Sequence, residues 1–282
     1  MIAVRVLGGL GNQLFQLAAA MHLRDTTGQR VVLDRSWYRS SSSHDTPREF
    51  ALTGFTDNIR IVSIPNSLHA LARRFGPPHY VTERQPGDVI LGNLVSRTWL
   101  LHGYFQNSIY PISSIDSLRR AFTAAIPDAF ENDTARPYIA VHSRLGDYLT
   151  NQHTSSAHGV TDPADLLRNA AVLGRRLGGV PLRIFTDSPK AFVEIVGSRL
   201  PSDATFSEAK DPWRVISEMS RGAAIVMSNS SLSWWAAFTA TRLRGSALPV
   251  YFPTPWFAQS SIADEILKLD DWTDMPRLII AP

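Results

Sequence analysis

The sequence predicts an α/β fold in two halves, each organised on a parallel, doubly wound sheet. Three observations carry this. An apolar run, Ala3 to Leu7, feeds a glycine turn and then a helix-period pattern from Asn12 to Thr27. Residues 138–252 alternate strand and helix signals strictly, with apolar strands, the pattern of a parallel sheet covered on both faces. Between the two, Pro127 to Pro137 is polar and bounded by prolines and reads as a linker. The expected domains are 1–126 and 137–282.

In the first half, Leu14, Leu17, Ala18 and Met21 share one helix face, and Arg30–Asp34 reads as a second buried strand. Together they make a βαβ opening. Ser40 to Ser43 is read as a loop. Ser67–Phe75 reads as a helix stopped by Gly76-Pro77-Pro78, Thr98–Phe105 as a strand, and Ser114–Ile126 as a helix. In the second half, strands are expected at Tyr138–His142, Leu182–Thr186, Ala204–Ser207, Ala223–Met227 and Leu248–Phe252. Helices are expected at Pro163–Gly178, Pro189–Leu200, Pro212–Ser220 and Leu232–Arg244. Pro163, Pro189 and Pro212 each follow Asp or Ser, the signature of a cap followed by a first-turn proline.

The composition bounds the function. The chain has 282 residues, 44% hydrophobic and 19% charged, so it carries a core and is neither disordered nor a coiled coil. A net charge of +3 is too small for a nucleic-acid binder. Arginine far outnumbers lysine, and its planar fork matches phosphate. The lack of cysteine excludes disulfides, a cysteine nucleophile and thiolate metal sites. No secretory pattern opens the chain, and no run approaches the roughly 20 apolar residues of a membrane span. The expected location is the cytoplasm, with at most peripheral membrane contact through the more basic first half.

Chemistry is sought beyond the carboxyl ends of the strands, where doubly wound sheets take their ligands. Three strand ends carry polar clusters: His142-Ser143-Arg144-Leu145-Gly146-Asp147-Tyr148, Thr186-Asp187-Ser188, and Ser228-Asn229-Ser230-Ser231. Arg144 has two readings, a fork on a diphosphate or a structural pair with Asp147. Ser228–Ser231 either favour an anion at the following helix N-terminus or form a plain cap. Trp234 and Trp235 read as core. Gly8-Gly9-Leu10-Gly11, with Asp34 as a ribose acid, invites a dinucleotide reading, but Leu14 replaces the third glycine. The alternative is a tight turn. No phosphate-binding Gly-x-x-x-x-Gly-Lys loop and no Asp-x-Asp pair occurs, so no metal site is expected. His153 and His158 read as loop histidines, and residues 270–274 as a solvated acidic surface.

Five segments in order resemble the α-1,2-fucosyltransferases of glycosyltransferase family 11. They are Gly8-Gly9-Leu10-Gly11-Asn12-Gln13-Leu14-Phe15-Gln16, Gly103-Tyr104-Phe105-Gln106-Asn107, the His142–Tyr148 segment, Phe185-Thr186-Asp187, and Ser228 through Trp235. The resemblance implies a GT-B fold, two Rossmann-like domains facing across a cleft. The first would be the acceptor side and the second would hold the nucleotide sugar. It implies inverting, metal-independent transfer of L-fucose from GDP-fucose to the 2-hydroxyl of a β-galactoside, by a bacterial type of enzyme. The partners are a nucleotide-sugar donor and a glycan acceptor, with no cofactor. Arg144 would contact the diphosphate, His142 would orient the donor, and Asp147 is the first candidate for general base. Asp187, Ser228, Asn229, Ser230 and Ser231 would bind the donor, joined by Gly9, Gly11 and Asn12 from the first domain. Leu145 stands where the family commonly has a second arginine. That departure opens rival readings: another nucleotide-linked deoxysugar, or an inactive GDP or glycan binder. The glycine turn leaves a third rival, an NAD-dependent oxidoreductase.

Overall fold

A computed structural model describes residues 1–39, 48–76, 79–88, 91, 99–131, 137–146, 159–258, 264–277 and 279–280. The chain divides into two compact units, Met1–Ala125 and Ile126–Pro282.

Unit 1 runs β1 (Ile2–Arg5), α1 (Leu10–Thr27), β2 (Val31–Asp34), β3 (Arg60–Val62), α2 (Asn66–Phe75), β4 (Tyr80–Thr82), β5 (Leu100–His102), α3 (Ile109–Ser113) and α4 (Ile115–Ala125). Its five strands are parallel in the order β3-β2-β1-β5-β4. The first strand and α1 form because an apolar run meets a glycine turn, and α1 ends where Gly28 takes a left-handed φ of 62°. Along one face of the sheet, Ala3, Val32, Leu100 and Tyr80 pack against Ala72 of α2.

Unit 2 runs β6 (Ile139–Ser143), β7 (Val160–Thr161), α5 (Pro163–Arg176), β8 (Leu182–Thr186), α6 (Pro189–Val196), β9 (Thr205–Phe206), α7 (Pro212–Ser220), β10 (Ala224–Val226), α8 (Ser231–Phe238), β11 (Val250–Thr254), β12 (Thr273–Pro276) and β13 (Ile279–Ile280). Six strands are parallel in the order β12-β11-β10-β6-β8-β9. A separate antiparallel pair joins β7 to β13. The core gathers Ile139, Val141, Ile184 and Val226 from the strands with Leu166, Ala170 and Leu173 from α5. Each unit is a Rossmann-like α/β layer structure, the two-domain composition of a GT-B chain.

Two expectations need correction. The 270–274 stretch is not simply a solvated acidic surface. Trp272 is buried, β12 starts at Thr273, and Asp271 and Asp274 form ion pairs with Arg242 and Lys268. Of the three cap-and-proline sites, Asp162 accepts from Ala164 N and Asp211 from Arg214 N, whereas Ser188 makes no side-chain cap bond. The stretch read as a linker opens with a short 3-10 turn, Pro127–Phe130. The serine run at 40–43 lies outside the described residues.

Candidate functional site

The unit 2 sheet grows outward from β6. The chain first adds β8 and β9 on one side, then returns to add β10, β11 and β12 on the other. The loops after β6 and β10 therefore part at the topological switch point, where open α/β sheets take ligands. His142, near the end of β6, and Ser228, just past β10, meet there with His142 Nδ1 2.8 Å from Ser228 Oγ. His142 is buried, and burial pushes its pKa down to about 4. Asp187 opposes that shift and Arg144 reinforces it. The imidazole is therefore neutral at neutral pH and is hydrogen-bonded to the serine hydroxyl.

Arg144 follows β6, and its Nε lies 3.2 Å from Asp187 Oδ2. Its side chain keeps 23% exposure. Asp187 follows β8, and its Oδ1 accepts from Leu145 N at 2.9 Å and Gly146 N at 3.0 Å. One carboxylate thus closes the post-β6 loop and orients the guanidinium. A Cβ added at Gly146 would lie 2.9 Å from Asp187 Oδ2, so a larger residue there would displace the carboxylate. Leu145 turns inward and is fully buried in the unit 2 core. Asp147, His153 and His158 lie outside the described residues.

Ser230 precedes α8 without a side-chain cap bond, and Ser231 begins the helix. The turn is instead held by Ser233, whose Oγ donates to Ser228 O at 3.0 Å and Ser230 O at 2.9 Å. The Ser230 and Ser231 hydroxyls thus stand beside first-turn N–H groups that have no intrahelical acceptor. Asn229 is buried and engaged within the protein. Its Oδ1 accepts from Thr161 Oγ1 at 2.9 Å, and its Nδ2 donates to Gly159 O and Trp256 O. Sequence reasoning missed Thr161 and Gly159, because they meet Asn229 only through a contact nearly 70 residues away in the chain. Trp234 and Trp235 are fully buried.

The structure therefore brings His142, Arg144, Asp187, Ser228, Ser230 and Ser231 to one sheet end. Gly9, Gly11 and Asn12 belong to unit 1, where Gly9 precedes α1 and Gly11 lies in its first turn. Asn12 Oδ1 accepts from Gln106 Nε2 at 2.8 Å, and Gln16 Nε2 donates to Gly103 O at 2.9 Å. These bonds tie two of the recognised segments together. Gly8 has a φ of +80°, and an added Cβ would lie 2.9 Å from Asn12 Nδ2. The ribose-acid reading of Asp34 fails. Asp34 is fully buried, and its oxygens already take Ser36 N, Ser36 Oγ, Ile64 N and His69 Nε2. Among the described residues, no group of three or more His, Asp or Glu side chains is arranged to hold a metal, and no helix is long and apolar enough to cross a membrane.

The profile of Glycosyl transferase family 11 matches residues 58–274. An O-antigen biosynthesis glycosyltransferase, WbnK, of Escherichia coli is 27% identical over 95% of this chain and 98% of its own length. An α-1,2-colitosyltransferase of Escherichia coli is 26% identical over 93% and 94% respectively. A crystal structure of POFUT1 in complex with GDP is 12% identical, covering 88% of this chain and 96% of that one, with a TM-score of 0.49. The family profile spans well over half of the sequence, and two relatives match almost from end to end; the chain belongs to glycosyl transferase family 11.

Proposed function

We propose that the chain moves L-fucose from GDP-fucose to the 2-hydroxyl of a β-galactoside acceptor, with inversion and without a metal. The observation that carries this is Arg144, set at the unit 2 switch point and held by Asp187 beside the α8 N-terminus. As the sugar–oxygen bond breaks, charge grows on the departing diphosphate. A prearranged guanidinium, the Ser230 and Ser231 hydroxyls and the helix N–H groups stabilise that charge more than they stabilise the ground state. The acceptor hydroxyl attacks the anomeric carbon from the opposite face and loses its proton to a general base. We assign that base to Asp147, the nearest carboxylate to Arg144 along the chain. Unit 2 is the donor domain and unit 1 the acceptor side.

A second reading keeps the chemistry and changes the sugar. The relative named an α-1,2-colitosyltransferase favours it, as does Leu145, whose side chain is core rather than a second positive charge.

Calorimetric titration in EDTA with GDP, GDP-fucose, UDP and NADH tests the donor class. GDP and GDP-fucose are expected to bind selectively, and Arg144→Ala to abolish that binding. Turnover of Arg144→Ala should fall at least about 100-fold, roughly 3 kcal/mol of lost transition-state stabilisation. GDP binding with transfer of another nucleotide-linked deoxysugar in place of fucose moves the assignment to the second reading, and GDP binding with no sugar transfer at all marks an inactive binder. A preference for UDP or NADH overturns it.

A further inference from the structure

The carboxyl end of the unit 1 sheet holds a second polar cluster, which the proposed transfer does not use. The chain builds β2 and β3 on one side of β1, then β4 and β5 on the other. Strands β1 and β5 therefore flank the switch point of this sheet, again the place where such sheets take ligands. Arg5 and His102 are the last residues of these two strands and stand opposite each other in register. Asp34, the last residue of β2, stands opposite Arg5 on the other side. By strand alternation all three continue the face of Ala3, Val32 and Leu100, which packs against Ala72 of α2. His69, one turn before Ala72, reaches the same place and sets its Nε2 2.7 Å from Asp34 Oδ2.

Three nitrogens of the cluster lack a hydrogen-bond partner among the described residues. Arg5 is 7% exposed, and its Nε is buried with no hydrogen-bond partner among the described residues. Asp34 does not pair with it, because four other donors occupy its oxygens. Nδ1 of His69 and Nδ1 of His102 are also buried without a hydrogen-bond partner among the described residues. Both imidazoles are pushed down by burial, and the charges of Arg5 and Arg73 press in the same direction. For His69 the neighbouring Asp34 opposes the shift. A buried guanidinium N–H left without an acceptor is unfavourable unless a ligand oxygen completes it.

We propose that Arg5, His102 and His69 form a binding site for an oxyanion group, a phosphate or a sugar carboxylate, at the switch point of unit 1. The Arg5 fork takes two of its oxygens. Neutral His102 donates through Nδ1. His69 directs its Nε2–H at Asp34, so its Nδ1 presents a lone pair, which suits a hydroxyl on the same ligand. Hydrogenphosphate and a hydroxylated carboxylate such as a uronate both fit that pattern.

Imidazole 15N NMR of the full chain, titrated with inorganic phosphate and with glucuronate at constant ionic strength, reads the site directly. The His69 and His102 rings are expected to shift saturably with at least one probe, and the shift to vanish in Arg5→Met. Arg5→Lys keeps the charge without the fork and should bind at least about tenfold more weakly. It serves as the test should Arg5→Met not fold. Tighter binding of glucuronate identifies a carboxylate-bearing sugar as the source; tighter binding of phosphate identifies a phosphate group. The His142 ring reports on the donor site separately. Phosphate that moves His142 alone overturns this site and leaves the donor reading standing. Unmoved His69 and His102 rings, or equal movement in wild type and Arg5→Met, also overturn it.

Discussion

At the residue scale, Asp187 decides how Arg144 is presented. Its Oδ1 gathers two loop N–H groups and its Oδ2 takes the guanidinium, so the carboxylate positions both the loop and the fork. Asp187→Asn keeps the shape, removes the charge and turns a donor toward groups that need an acceptor. The expected result is a folded protein whose kcat falls by about tenfold or more, roughly 1.4 kcal/mol per decade, with a smaller change in acceptor KM. Asp187→Glu should recover part of the loss. Unchanged kcat in Asp187→Asn would remove Asp187 from the machinery. Sequence alone placed Asp187 at a strand end and Arg144 at the next one. It could not tell that they pair, because the contact spans more than 40 residues and depends on β6 lying beside β8. The same holds for Asp34, whose position fits a ribose acid until its four donors are seen.

At the scale of the elements, α5 and α7 are started by their caps. Asp162 and Asp211 accept from first-turn N–H groups, and the proline that follows needs no partner for a missing N–H. Asp162→Ala should lower unfolding free energy by about 1 kcal/mol, while Ser188→Ala ahead of α6, where no such bond exists, should change it by a few tenths at most. Urea melts of the two variants check this, and equal losses would contradict it. The helices of unit 2 were legible because caps, prolines and apolar period coincide. The strands β3, β4 and β12 were not. Each is a three- or four-residue edge or near-edge segment whose identity comes from its pairing partner rather than its own pattern. In β12 the acidic side chains hid a strand whose Met275 is fully buried.

At the scale of the whole molecule, acid should weaken both units through the histidines they bury. His142 in unit 2 and His102 in unit 1 each titrate near 4 in the folded chain, mainly because burial disfavours the charged ring, against about 6.5 when exposed. The unfolded chain therefore binds more protons than the native one between those values. The stability from keeping these rings neutral is complete above about pH 6.5 and drains away as pH falls toward 4. For His142 the loss at about pH 5 is on the order of 2 kcal/mol. Carboxylates act in a lower window. Asp57 in unit 1 is held down chiefly by its hydrogen bond to Arg120, and Asp271 and Asp274 in unit 2 by Arg242 and Lys268. Their contribution is full above the ordinary carboxylate range and is lost only as pH drops below it. Unfolding free energy should thus fall in two steps on acidification, imidazoles first. Urea melts from neutrality to about pH 4.5, in a zwitterionic buffer free of phosphate and carboxylate, should show the first step in wild type. His142→Gln, which keeps a hydrogen-bonding amide facing Ser228, should make that step smaller by on the order of 2 kcal/mol at about pH 5. A slope through this window that is the same in His142→Gln and wild type would mean that the ring titrates freely, and that burial at the end of β6 does not keep it neutral.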